Sequence, residues 1–172
     1  MLNRGLPCIL DEYIFSVEGI SEMGNSIPLV YLDNCCFNRP YDNQSQPRIE
    51  LETRAKLFVQ RLVVEKELSL VVSFMSEMEN EANPFVERKH SIGDFFQFAV
   101  KMIPSTAEGE ELAQEIVKGG LKTKDAAHLA CAIVGGCDYF LTTDDRLLAY
   151  RDDRISIMNP TEFILLWRGG QQ

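Results

Sequence analysis

The sequence has little from which to build a zinc site or a disulfide framework. It contains only two histidines, His90 and His128, and no Cys-x-x-Cys pair. Its five cysteines, Cys8, Cys35, Cys36, Cys131 and Cys137, are odd in number, and sequence neighbours such as Cys35 and Cys36 rarely bridge. Free, mostly buried thiols in a reducing compartment are the expectation, and zinc is not. Long apolar runs are also lacking: nothing approaches the roughly 18 residues of a membrane helix. The N-terminal "LPCIL" is too short for a secretory core and runs straight into Asp11-Glu12. A cytoplasmic protein with no membrane attachment is expected. Positive charge is scarce as well, since 17 Lys and Arg stand against 26 Asp and Glu, a formal net charge of −9. That argues against general adhesion to nucleic acid, which depends on cations along the phosphates, but leaves room for a local basic rim around an acidic pocket.

What is present is enough for one domain with a good core: 172 residues, 45% of them hydrophobic. Residues 1–28 are polar and Gly-rich ("SVEGISEMGNSIP") and read as a partly disordered extension, within which Met23 is an alternative start. The domain itself is expected over 29–168, with 169–172 as a tail. Strands are expected at 29–33, at 68–74 ("LSLVVSF", a run suited to burial on both faces), at 138–143 and at 154–158, with a short edge strand at 99–103. Helices are expected at 48–66, at 75–81, from Pro84 to about Phe96, at 106–118 up to Gly119-Gly120, from an N-cap at Thr123 to Gly135, at 145–150, and from Thr161 to Trp167. "NRPYDNQSQP" (38–47) reads as loop. Neither an internal repeat nor a low-complexity tract interrupts the chain. This alternation predicts a three-layer α/β/α sandwich around a mostly parallel sheet.

Acids stand where such a fold collects ligands, at the carboxyl ends of parallel strands. Asp33 ends "LVYL", and Asp144, followed by Asp145, ends "YFLTT". Asp125 lies in the first turn of the helix before that strand, and Glu79 about a turn and a half into the helix after "LVVS". Clustered carboxylates repel one another and are costly without a counter-ion. A hard divalent cation fits, since Mg²⁺ takes a few carboxylates and completes its shell with water or phosphate oxygens. Each acid also has a plainer reading. Asp125 and Asp145 suit a helix first turn, and Glu77, Glu79 and Glu81 suit a solvated face that periodicity alone does not resolve. Caps and ligands both remain open on spacing alone.

Three segments carry a family resemblance. "VYLDNCCFNRPYD" (30–42), "VVSFMSEMENEANP" (71–84) and, most specifically, "GLKTKDAAHLACAIVGGCDYFLTTDDRLL" (120–148) resemble PIN domains. This is the fold of many metal-dependent ribonucleases and of the toxin halves of bacterial toxin–antitoxin pairs. The resemblance covers roughly residues 29–160. It implies an acidic quartet of Asp33, Glu79, Asp125 and Asp144, holding Mg²⁺ or Mn²⁺ and hydrolysing RNA phosphodiester bonds. Thr142 takes the place of the small hydroxyl residue before the last acid, free to bond a carboxylate or the substrate phosphate. Lys122, Lys124 and Arg146 are candidate phosphate contacts, with Arg39 a similar case, each set against ordinary solvated charge. His128 lies on a helix face similar to that of Asp125 and is weighed as a proton relay against a packing residue. Cys35 and Cys36 are expected to be buried behind the site. The resemblance also implies an antitoxin partner and a homodimer. Alternatives are a PIN-fold binding or regulatory protein with little nuclease activity, and a phosphoesterase acting on DNA.

Overall fold

The structure, a computed structural model, describes residues 26–169. Five parallel strands form one sheet in the order β3-β2-β1-β4-β5. They are β1 (Leu29–Leu32), β2 (Ser69–Ser73), β3 (Ala99–Ile103), β4 (Tyr139–Leu141) and β5 (Ser156–Met158). Among the described residues eight α-helices pack around them: α1 (Asn34–Asn38), α2 (Pro47–Val64), α3 (Phe74–Glu81), α4 (Val86–Phe96), α5 (Ala107–Lys118), α6 (Thr123–Val134), α7 (Asp145–Ala149) and α8 (Pro160–Gly169).

Strand periodicity divides the core into two faces. Val30 and Leu32 of β1, with Leu70 and Val72 of β2, pack against Phe37 of α1, Val59 and Leu62 of α2, Ile92 of α4 and Phe163 of α8. Tyr31 and Val71 point the other way, into Met75 of α3, Ile116 of α5, Leu129 of α6 and Leu147 of α7. The result is the expected three-layer sandwich. The apolar runs of β1 and β2 are continuous because both faces are covered. β3 lies at the edge, as expected, with Val100 and Met102 exposed.

Several boundaries differ from the sequence expectation, for local reasons. A short helix, α1, forms at Asn34–Asn38, where none was expected, and the expected loop at 38–47 opens with a 3₁₀ turn at Arg39–Tyr41. Asp33 caps α1, its side chain accepting from the Asn34 N–H at 2.8 Å. Five residues are too few to display a helical period. The N-cap of α6 is Lys122, not Thr123, and it makes no side-chain cap bond. α4 starts at Val86 rather than Pro84, because Asn83 Oδ1 accepts the Phe85 N–H at 3.1 Å and holds the entry as a turn. β4 is confined to three residues, since beyond Leu141 the chain turns into the site. α8 runs past Trp167 to Gly169. The extension over 1–25, the alternative start at Met23 and the tail beyond 169 lie outside the described residues.

β1 is where the winding reverses. The chain steps outward through β2 to β3, then crosses back to lay β4 on the other side of β1. A crevice opens at the carboxyl ends of strands flanking such a switch point. Here the seam is closed by the Asp33 N–H donating to the Leu141 carbonyl at 2.9 Å.

Candidate active site at the switch point

Asp33 leaves β1 directly into this seam and is largely buried, with 8% of its surface exposed. Its Oδ2 accepts the Thr142 hydroxyl at 2.8 Å and the Cys35 thiol at 3.0 Å, while Oδ1 takes the Asn34 N–H. Thr142 is fully buried, and its Oγ1 accepts the Asp144 N–H at 3.1 Å. The Thr143 N–H donates to Cys35 Sγ at 3.3 Å. Asp33, Thr142, Cys35 and the Asp144 backbone thus form one knot joining the ends of β1 and β4. Of the two partners open to Thr142, a carboxylate or a phosphate, it has taken the carboxylate. Cys35 is not merely packed behind the site as expected; only Cys36 is fully buried there.

Asp144 caps α7, accepting the Arg146 N–H at 2.8 Å, and its other oxygen lies 3.6 Å from the Arg146 guanidinium. Asp125 stands in the first turn of α6, partly buried. Burial raises its carboxyl above the ordinary value, the Asp144 and Asp33 carboxylates raise it further, and Arg146 and Lys122 only partly offset them. Asp144 and Asp33, from two other segments, therefore both act on Asp125.

Glu79 belongs to the opposite wall. Of the three glutamates on α3 it alone turns inward; Glu77 and Glu81 are exposed, and Glu81 pairs with Lys89. One Glu79 oxygen lies 3.2 Å from Lys124 Nζ and the other 3.2 Å from His128 Nε2, the latter without hydrogen-bond alignment. His128, then Lys124, hold its carboxyl down at about 2 against the pull of burial. His128 is itself fixed from behind, its Nδ1 lying 2.7 Å from the Tyr31 hydroxyl. That hydroxyl is 2.7 Å from Ser73 Oγ and 2.9 Å from Ser76 Oγ, the two side chains that form the capping box of α3. Burial pushes the Tyr31 phenol far up, so it stays neutral with one proton to give. The Tyr31 hydroxyl and His128 Nδ1 share one hydrogen bond, whose direction the imidazole tautomer sets.

A family model for the PIN domain matches residues 30–153. The chain belongs to the PIN-domain family. Two solved structures are similar in fold. FitAcB from Neisseria gonorrhoeae is 14% identical, with a TM-score of 0.50 over 76% of this chain and 97% of that one. VapBC2 from Rickettsia felis, bound to a DNA fragment from its promoter, is 16% identical, with a TM-score of 0.47 over 76% and 98%. At these identities the likeness concerns the fold alone. No curated protein is similar enough to the chain to count as a relative.

Within this PIN domain, two residues weighed for the site belong elsewhere. Asp145 turns away to Arg48, at 2.6 Å, and that guanidinium holds its carboxyl down. Arg39 pairs with Glu52 at 2.8 Å and with Asp42 at 3.0 Å, so it is not a free phosphate contact. Glu52, itself buried, also takes Arg48 and Asn159, tying α2 to the start of α8. Lys122, Lys124 and Arg146 are all exposed and rim the acids, though Lys124 and Arg146 each face a carboxylate. Among the described residues, no three His, Cys, Asp or Glu side chains are gathered tightly enough to hold a metal ion. The donor chemistry nonetheless suits a hard cation, because the three aspartates offer only oxygen and Asp125 is raised by burial and, beyond that, by the Asp144 and Asp33 carboxylates. The members that sequence reasoning missed are Tyr31, Ser73 and Ser76. One signal was available, a tyrosine in the middle of an otherwise aliphatic strand, since a buried phenol needs a partner.

Proposed function

We propose that this protein is a metal-dependent endoribonuclease that hydrolyses RNA phosphodiester bonds, with Asp33, Asp125 and Asp144 as metal ligands and Glu79 completing the quartet. PIN domains are in general nucleases, and family membership supports that coarser statement. The observation carrying the finer reading is the raised carboxyl of Asp125, which burial and then the Asp144 and Asp33 carboxylates push up at the switch-point crevice. Bound there, Mg²⁺ or Mn²⁺ would supply the charge that stabilises a phosphate under attack and acidifies a water.

The chain's own groups do the rest. The hydrogen bonds from Asn34, Cys35 and Thr142 hold the Asp33 carboxylate in one orientation. His128 holds Glu79, which stays ionised at neutral pH. Lys122, Lys124 and Arg146 border the acids, where phosphates of a bound strand would lie. No residue is required as a covalent nucleophile. By the same family reasoning the protein is held in check by an antitoxin protein and forms a homodimer, and its unpaired cysteines suit the cytoplasm.

The test is RNA cleavage by the purified protein with Mn²⁺, Mg²⁺ or EDTA, alongside Asp33→Asn. Cleavage that requires the cation and disappears with Asp33, while RNA affinity changes little, is expected. A protein that cleaves DNA but not RNA would move the reading to a DNA phosphoesterase. One that cleaves neither, with Asp33→Asn indistinguishable in cation binding, would leave a binding or regulatory PIN protein.

A further inference from the structure

Arg88 is an exception in this acidic chain. Among the described residues, Arg39, Arg48, Arg54, Arg61, Arg146 and Arg154 each pair with a carboxylate, and Arg151 donates to backbone carbonyls. Arg88, half-buried, makes no ion pair or hydrogen bond there. Its guanidinium instead lies between two rings, 3.9 Å from the centroid of Phe85 and 4.8 Å from that of Tyr41. Both rings face solvent, Phe85 with 54% and Tyr41 with 39% of its surface exposed. The backbone that carries each ring is held in place. Tyr41 follows Pro40 in the 3₁₀ turn. Phe85 follows Pro84, its N–H held by Asn83. Asn83 Nδ2 donates in turn to Asn38 Oδ1 at 3.4 Å, tying the two turns together. Phe85 and Arg88 line an open cleft together with Glu79, Lys124 and Asn34, the residue after Asp33.

We propose that Phe85, Tyr41 and Arg88 form a platform for one unpaired nucleobase of a single-stranded RNA, the base stacking on the open face of Phe85 and Arg88 binding the adjoining phosphate. A flat apolar face beside a planar cation with unengaged donors matches the two parts of a nucleotide. An acidic peptide would satisfy the guanidinium but offer the rings no flat partner. Duplex RNA keeps its bases stacked internally, so the platform selects single-stranded segments. The choice of RNA rests on the nuclease reading; the stacking geometry does not.

The experiment is fluorescence anisotropy with the full chain carrying Asp33→Asn, which leaves the probe intact. The probe is a labelled single-stranded RNA oligonucleotide, compared with versions abasic at one position at a time. Stacking of one base is worth about 1–3 kcal/mol, or about 5- to 150-fold in affinity. Phe85→Ala is expected to weaken binding by a factor in that range. A single abasic position should weaken the unsubstituted platform equally, and the two losses should not add. Arg88→Ala should also shallow the salt dependence by about one counterion. Because Phe85 and Arg88 lie on the surface, unchanged thermal melting is expected and checked for each variant. Equal affinity of Phe85→Ala for the intact probe, or losses that add independently, would overturn the platform and leave the surface to another partner, an acidic peptide among them. Independently of this, a parent chain that cleaves no RNA yet shows the coupling keeps the platform and removes the nuclease. One that cleaves RNA without the coupling does the reverse.

Discussion

The two walls of the crevice solve the problem of buried carboxylate charge in opposite ways. On the wall formed by the ends of β1 and β4 and the first turn of α6, burial and the Asp144 and Asp33 carboxylates raise Asp125, Arg146 and Lys122 offset this only in part, and the protein supplies hydrogen bonds to Asp33. On the α3–α6 wall, Glu79 has a lysine and an imidazole of its own and is held at about 2. One wall is left short of cation; the other is already compensated. The lesson is that acids grouped by sequence logic need not be electrostatically equivalent, and only the uncompensated wall gains strongly from an external cation.

The largest effect should come from breaking the uncompensated wall. Asp33→Asn is expected to lower the rate of RNA cleavage by about 10³-fold or more, with RNA affinity nearly unchanged, in single-turnover assays. Glu79→Gln should cost less activity than that, because Lys124 already stands against its charge.

Next in size is the support behind Glu79. Tyr31→Phe removes the hydroxyl that Ser73, Ser76 and His128 share, at a cost of about 1–3 kcal/mol in urea denaturation. Adding His128→Ala should give less than the sum of the two, since both act through one network.

Glu79 also makes a statement about pH. Its folded value, about 2, lies below the ordinary glutamate value of about 4.3, so the stabilisation is fully present above the latter and is lost as pH falls toward 2. After allowance for solvent screening it amounts to about 1–2 kcal/mol at neutral pH. Glu79→Gln should therefore melt earlier than the parent at pH 7, with the gap closing below pH 4.

The smallest effect has the opposite sign. Asp125 is raised, so its charge costs stability once pH exceeds its folded value and costs none below the ordinary aspartate value of about 3.9. Asp125→Asn should raise the melting temperature slightly at pH 7 in EDTA and not at pH 3, by scanning calorimetry. Added Mg²⁺ should stabilise the parent and erase the difference. If Asp125→Asn instead lowers melting in EDTA, the contrast between the walls is wrong.

Much of this was legible in the sequence. Apolar runs and strand–helix alternation predicted a parallel sheet, and strand-end position singled out Asp33 and Asp144. Choosing Glu79 over Glu77 and Glu81 came from the resemblance, because three glutamates at alternate positions carry no periodic preference and only the packing of α3 turns one inward. The knot around Asp33 was not legible, since Thr142 lies 109 residues away and the bond exists only once β1 and β4 pair. Asp145 and Arg39 were misleading for the same reason. Their partners, Arg48 and Glu52, lie on α2, which is remote in sequence from Asp145 and looks from periodicity alone like a packing helix.

The seam between β1 and β4 also has a consequence in time. β1, β2 and β3 can pair as soon as they are synthesised, but the other side of β1 stays open until Tyr139–Leu141 exist. At the usual pace of translation, the 109 residues between Asp33 and Thr142 take roughly 5–20 s. Throughout that interval the nascent chain holds Asp33, joined part-way by Glu79, without the strand that completes the site. Whatever chemistry the crevice performs is therefore withheld until β4 has been made and has paired with β1.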